Sequence, residues 1–142
     1  MVRSVNVLIH DCVGRTLLQL RDSSTATFPL QWGFWGGAMD SGDISPEACA
    51  AREVREELAL VASAEDFELV GTRRSSRGEA QLFRLKRPLE WGSFRVLEGA
   101  GAAFLWRQEL TVLPLSKPVS EHLQMTPSLF PGKPSQYQPA FT

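Results

Sequence analysis

The sequence predicts an α/β (α+β) sandwich: strands around one well-marked helix, with a second helix late in the chain. Three observations predict it. Short apolar runs bounded by Gly, Pro, Asn, Asp and Ser recur along the chain, as strands do. One segment, "SPEACAAREVREELALV", carries helix-start signals in their proper order. A length of 142 residues suits one domain with a real hydrophobic core.

"VNVLIHD" (5–11) and "TLLQLRD" (16–22) are apolar runs split by "CVGR", and they read as an antiparallel pair about a turn containing Gly14. "DSSTATFPL" is a polar loop closing at Pro29, and "QWGFWGG" (31–37) is a short aromatic strand ending in a glycine turn. The helix follows, with Ser45 as N-cap and Pro46 at its first position. "FELVGTRRSS" and "EAQLFRLKRPL" form a hairpin across "SSRGE"; "GAAFLWRQEL" is a strand entering an acidic turn; "PVSEHLQM" is the last helix. Pro127, Pro131, Pro134 and Pro139 mark an extended or mobile tail, so the expected organisation is a domain over 1–126 and a tail over 127–142.

Composition excludes several functions. Fifteen basic and 16 acidic residues leave a formal charge of −1, which argues against a general DNA or polyanion binder and leaves a local basic patch open. Cys12 and Cys49 make no CxxC and no disulfide framework, as expected of a reducing cytoplasm. No apolar run approaches the roughly 18 residues of a membrane span, and the opening residues lack a signal-peptide core.

The helix poses the functional question. Glu53, Glu56 and Glu57 crowd into little more than one turn near its end, where like charges repel and the helix dipole prefers cations. On a helical wheel over 46–61, Ala51, Val54, Leu58 and Val61 share the face expected to pack on the sheet. The three carboxylates share another and are expected to stay outside the core. Side chains at that spacing converge on a hard cation through oxygen; Mg²⁺ suits, since it keeps waters and shares positions with substrate phosphates. The plainer alternative is a solvated face paired with Arg52 and Arg55. Against it stand the unfavourable Arg52-before-Glu56 order and the lead-in "WGFWGGAMDSGD", whose glycines permit close backbone approach to a ligand.

"GGAMDSGDISPEACAAREVREELAL" resembles the Nudix box, G-x5-E-x7-R-E-U-x-E-E-x-G-U with U apolar. Gly37 matches its leading glycine, and Arg52, Glu53, Val54, Glu56, Glu57 and Leu60 match its second half. Asp43 stands where the first glutamate is expected, with one extra residue before Arg52. Ala59 replaces the last glycine, and "FWGG" replaces the commoner "LPGG". If that glycine ends the helix in a left-handed conformation, Ala59 resists it.

The resemblance implies an α/β/α sandwich with a mixed sheet and a loop–helix site. It also implies hydrolysis of a nucleoside diphosphate linked to another moiety, by water attack at phosphorus with Mg²⁺ or Mn²⁺. Carried over, Glu53 and Glu57 are metal ligands, Glu56 supports the cluster and the Gly37 carbonyl completes it. Glu53 or Glu56 takes the water's proton. Arg52 orients a glutamate and braces the loop through Asp43 or Asp40. Glu98, in "VLEGAG", is the candidate for an acidic ligand from a distant loop, with a solvated turn equally open and Glu79 and Glu90 as weaker substitutes.

Arg21 is placed like the phosphate-contacting basic residue of several relatives. Trp32 and Phe34 share a strand face opposed by Trp35; stacking on a base and core packing are both open. Arg73, with Arg74 and Arg77, forms a basic turn that meets phosphate or solvent. His10, His122 and Cys49 read as structural. The leading function is a metal-dependent pyrophosphohydrolase acting on a nucleoside triphosphate, nucleotide sugar or dinucleotide. The alternative is a ligand-sensing or partner-binding domain without turnover, motivated by Asp43 and Ala59. A homodimer is open.

Overall fold

A computed structural model describes residues 1–136. Among these residues seven strands form two sheets. The strands are β1 (Val2–Leu8), β2 (Thr16–Leu20), β3 (Trp32–Gly33), β4 (Trp35–Ala38), β5 (Phe67–Ser75), β6 (Gly78–Leu85) and β7 (Gly101–Leu105). The helices are α1 (Pro46–Leu58), α2 (Arg107–Leu110) and α3 (Lys117–Met125). One sheet has the order β4-β1-β6-β5, with β1 parallel to β6 and antiparallel to β4; the other has the order β3-β2-β7. The mixed sheet and the α+β class are as expected.

Alternation along β1 divides the interior. Val5 and Val7 join α1 residues Ala50, Val54 and Leu58 in one core; Leu8 joins Leu18, Leu82, Phe34, Val119 and Phe130 in a second. Ser45 caps α1 by accepting from the Ala48 N–H at 3.0 Å, and Pro46 opens the helix.

Four expectations need correction. The Gly14 turn exists, at φ +100, but only its base pairs, through the His10–Thr16 bridge and the Leu17 N–H to Ile9 carbonyl bond of 2.8 Å. Beyond it the two strands part into different sheets, because each carries apolar residues on both faces and needs a partner layer on each side. The aromatic strand likewise breaks at Phe34 into β3 and β4, one in each sheet. Helix α1 stops at Leu58, and Val61 is exposed rather than part of the packing face. The boundary at 126/127 does not hold either. Pro127–Leu129 forms a 3-10 turn, Phe130 is fully buried in the second core, and the Arg107 side chain donates to the Phe130 carbonyl at 3.1 Å. The stretch of the expected tail from 137 onward, with Pro139, lies outside the described residues.

Candidate active site

Two glycines and two glutamates make the centre. In β4, Gly36 adopts φ +123 and packs so closely on β1 that a Cβ there would collide with the Val5 carbonyl oxygen. This close approach aims the Gly36 N–H at Glu57, whose Oε1 accepts it at 2.7 Å. At Gly37 a Cβ would lie 2.7 Å from Glu53 Oε1. Only a residue without a side chain lets the Glu53 carboxylate lie against the strand. The neighbouring glycines thus cradle one carboxylate each.

Helix α1 turns Glu53 and Glu57 inward, 9% and 4% exposed, and leaves Glu56 outward. The expectation that all three acids avoid the interior is therefore wrong for two of them. Burial costs a carboxylate its hydration. Desolvation pushes Glu57 up to about 8, with the charges of Glu53 and Glu98 adding to it and the Gly36 bond and Arg21 opposing. Desolvation raises Glu53 too, against the pull of Arg52.

Arg52 ties helix to loop. Its Nε and one terminal nitrogen donate to the two Asp43 oxygens, each at 2.9 Å. The same guanidinium bonds the Ala38 carbonyl at 3.1 Å and pairs with Glu53 and Glu56 at 3.2 Å. The bidentate Arg52 pairing holds the Asp43 carboxyl well below the usual carboxylate range. The shorter acid and the extra loop residue therefore still reach Arg52, and of the two aspartates named for this contact Asp43 makes it. Cys49, beneath the same loop, is buried, with its thiol pushed up to about 12 first by desolvation and then by Asp43; it packs rather than reacts.

The loop carrying Glu98 is pinned to carbonyls left without helical partners at the end of α1: Arg95 N–H donates to Leu58 and Leu97 N–H to Glu57, each at 2.9 Å. Buried Gln19 of β2 holds the Glu98 carbonyl through its side-chain amide at 2.9 Å. The Glu98 charge is felt by both Glu53 and Glu57. Gln19 thus fixes the Glu98 loop, a contact that its sequence, one polar residue inside "TLLQL", leaves unmarked. The substitutes lie elsewhere: Glu79 pairs with Arg74 at 3.1 Å, and Glu90 accepts from the Cys12 N–H.

A cavity of about 230 Å³ is lined by Arg21, whose charge is felt by Glu57, and by Arg73, Asn6, Phe34, Phe28 and Ser116, among others. Arg21 also binds the loop after β2, donating to the Thr27 carbonyl and the Thr25 hydroxyl at 2.8 Å. Arg73 pairs with Glu121 of α3 at 2.8 Å. Trp32 and Phe34 pack on the second core, with Phe34 5% exposed and its ring 6.1 Å from that of Phe130. Phe28 is the more available ring at the cavity; it sits in a loop whose polar composition gave no sign of it. His10 bonds the Leu129 carbonyl at 2.9 Å and His122 is buried, and desolvation lowers both.

Among the described residues no three acidic, His or Cys side chains close around one point tightly enough to hold a metal ion unaided. The donor set nevertheless fits a hard divalent cation: two buried, mutually repelling carboxylates share a glycine-lined cradle with Glu98 nearby. Such ions complete their shell with water, backbone carbonyl and phosphate oxygen.

The model of the NUDIX domain matches residues 1–112. The chain belongs to the NUDIX family. A comparison with curated proteins gives no match. Among solved structures, MutT from Aliivibrio salmonicida and Vibrio cholerae is 15% identical, covers 91% of this chain and 98% of its own, and superposes with a TM-score of 0.74. MutT from Methanosarcina mazei Go1 is 20% identical, with 87% and 91% covered and a TM-score of 0.69. The NUDIX domain of Shewanella oneidensis NrtR, in complex with ADP ribose, is 18% identical, with 90% and 87% covered and a TM-score of 0.66. These likenesses carry the Nudix fold. Family membership makes the chain a pyrophosphohydrolase of the Nudix class, acting on a nucleoside diphosphate linked to another moiety. No helix among the described residues is long and apolar enough to cross a membrane.

Proposed function

We propose that this Nudix protein is a metal-dependent hydrolase of a small nucleoside diphosphate derivative, with Glu53 and Glu57 as its principal Mg²⁺ or Mn²⁺ ligands. The observation that carries the reading is the burial of these two acids against Gly37 and Gly36, because a desolvated, like-charged pair has a strong need for a shared cation. Glu98 and the Gly37 carbonyl complete the protein's share of the ligands. A cation held there supplies Lewis acidity toward the phosphoryl oxygens and the attacking water.

The chain's own residues do the rest. Glu56 is exposed and next to Glu53, so it is placed to accept the water's proton, with Arg52 steadying both carboxylates. Arg21 and Arg73 bring positive charge to the cavity that receives the diphosphate. Phe28 offers a ring to the nucleoside. That a NUDIX domain of this fold binds ADP ribose supports a nucleotide derivative as the ligand class. Two free cysteines, Cys12 and Cys49, suit a reducing cytoplasm.

The departures that motivated a sensor without turnover are absorbed by the local geometry: Asp43 makes its bidentate contact and Ala59 adopts the left-handed conformation. The test is a panel of nucleoside triphosphates, nucleotide sugars and dinucleotides, each with Mg²⁺ and with chelator. Release of phosphate or nucleotide from one class, abolished by chelator, is expected. Metal-independent release, or none from any class, would overturn the proposal.

A further inference from the structure

Resting on the hydrolase reading above, we propose that the groove next to the diphosphate cavity binds a second phosphate of the substrate. The substrate class is then a nucleoside diphosphate derivative bearing a further phosphoryl group away from the scissile linkage. The small cavity opens beside a larger one of about 500 Å³, and the two share Ser4, Phe28, Arg73 and Ala80 in their walls. The larger is lined by Arg3, Arg73, Arg74, Arg77 and Lys117. Two carboxylates answer these five cations: Glu79 pairs with Arg74 at 3.1 Å, and Glu121 with Arg73 at 2.8 Å and Lys117 at 3.7 Å. Arg3 and Arg77 have no carboxylate at ion-pair distance among the described residues. In a chain of net charge −1, this surplus on one concave surface is local design rather than composition, and a concave basic surface concentrates anions.

The cations converge from three separate elements: the start of β1, the β5–β6 hairpin and the start of α3. The hairpin is shaped around one of them. Gly78 turns the chain at φ +124, and a Cβ there would lie 2.5 Å from Arg3 Cγ, so the missing side chain leaves room for the Arg3 stem across the turn. At the junction of the two cavities, Phe28 has φ 50, and Leu30, two residues on, has φ 58. Arg21 holds this loop through Thr25 and Thr27. Left-handed non-glycine residues are costly and concentrate where a ligand is clamped. An aromatic ring on the wall shared by an arginine groove and the cavity of Arg21, whose charge is felt by Glu57, fits a nucleoside with phosphate on both sides.

The test uses matched compounds that differ by one phosphate: NADP⁺ against NAD⁺, and coenzyme A against its dephospho form. Dissociation constants are measured by calorimetry with chelator, and kcat/KM with Mg²⁺. The phosphorylated member is expected to bind about tenfold or more tightly, the size of one charge-assisted contact. That ratio should shrink as salt rises and fall toward one in the double variant Arg3→Gln, Arg77→Gln. Binding that differs by less than about twofold in both pairs, or a ratio untouched by the double variant, overturns the proposal. Competition by single-stranded RNA without any preference within the pairs overturns it too, and points to a nucleic-acid end instead. If no compound is turned over, the hydrolase reading fails while the binding ratio still decides the subsite.

Discussion

The Gly36 N–H donates a 2.7 Å hydrogen bond to the Glu57 carboxylate, joining the glycine turn of β4 to the last turn of α1. It opposes desolvation and the charges of Glu53 and Glu98, which together push Glu57 up to about 8 from 4.5. A carboxyl with a raised folded-state pKa contributes stability below about 4.5 and loses it as pH climbs through about 8. In chelator, the melting temperature is expected to fall between about pH 5 and pH 8 by the equivalent of a few kcal/mol at most. Mg²⁺ should restore it at the upper end, where the carboxylate is free to bind. Melting curves of the wild type and Glu57→Gln check this; equal slopes for the two would remove Glu57 as the cause.

The two glycines of the cradle should fail differently. Gly37 does not have a positive φ, and the nearest atoms its added methyl would meet belong to the movable carboxylate of Glu53. Gly37→Ala is expected to weaken Mg²⁺ binding about 10–100-fold with little change in melting temperature. Gly36 has φ +123 and faces the Val5 carbonyl, so Gly36→Ala should destabilise the fold itself. Calorimetric Mg²⁺ titrations beside melting curves separate the two outcomes.

Ala59 ends α1 at φ 53, with its N–H on the Arg55 carbonyl and the Leu60 N–H on Val54. A left-handed Ala costs about 1–2 kcal/mol. Part of that is returned as unfolded-state entropy when glycine replaces it. Ala59→Gly should therefore stabilise the protein by about 1 kcal/mol, read as a rise of a few degrees in melting temperature.

Phe130 is fully buried between Phe34 and the rest of the second core. Phe130→Ala should cost about 3–5 kcal/mol by denaturant unfolding. A loss below about 1 kcal/mol would mean that this segment is not part of the domain.

The helix and its acids were legible because α1 obeys local rules: Ser45 and Pro46 mark its start, and Arg52 to Glu57 form one compact pattern. The strands were legible as strands but not by partner. Val5 and Leu17 look alike in sequence, and only tertiary packing sends them into different sheets. Burial of Glu53 and Glu57 was missed because a wheel places carboxylates on a face without showing that two side-chainless residues, Gly36 and Gly37, open a space for them. Phe28 lines the cavities from a polar loop and Gln19 holds the Glu98 carbonyl from a distant strand, and neither stands in a motif. The prolines after Thr126 suggested an unstructured tail, yet Phe130 among them was apolar enough to anchor it.

If Glu57 holds the cation on which hydrolysis depends, its removal should stop turnover without unfolding the protein. The most direct measurement is steady-state turnover of the best substrate by wild type and Glu57→Gln across a Mg²⁺ titration, with near-identical circular dichroism as the control for folding. The variant should lose about a hundredfold or more in kcat, as expected when a metal's contribution of several kcal/mol to the barrier is removed. Turnover by the variant within a few-fold of wild type, at the same Mg²⁺ midpoint, would contradict it.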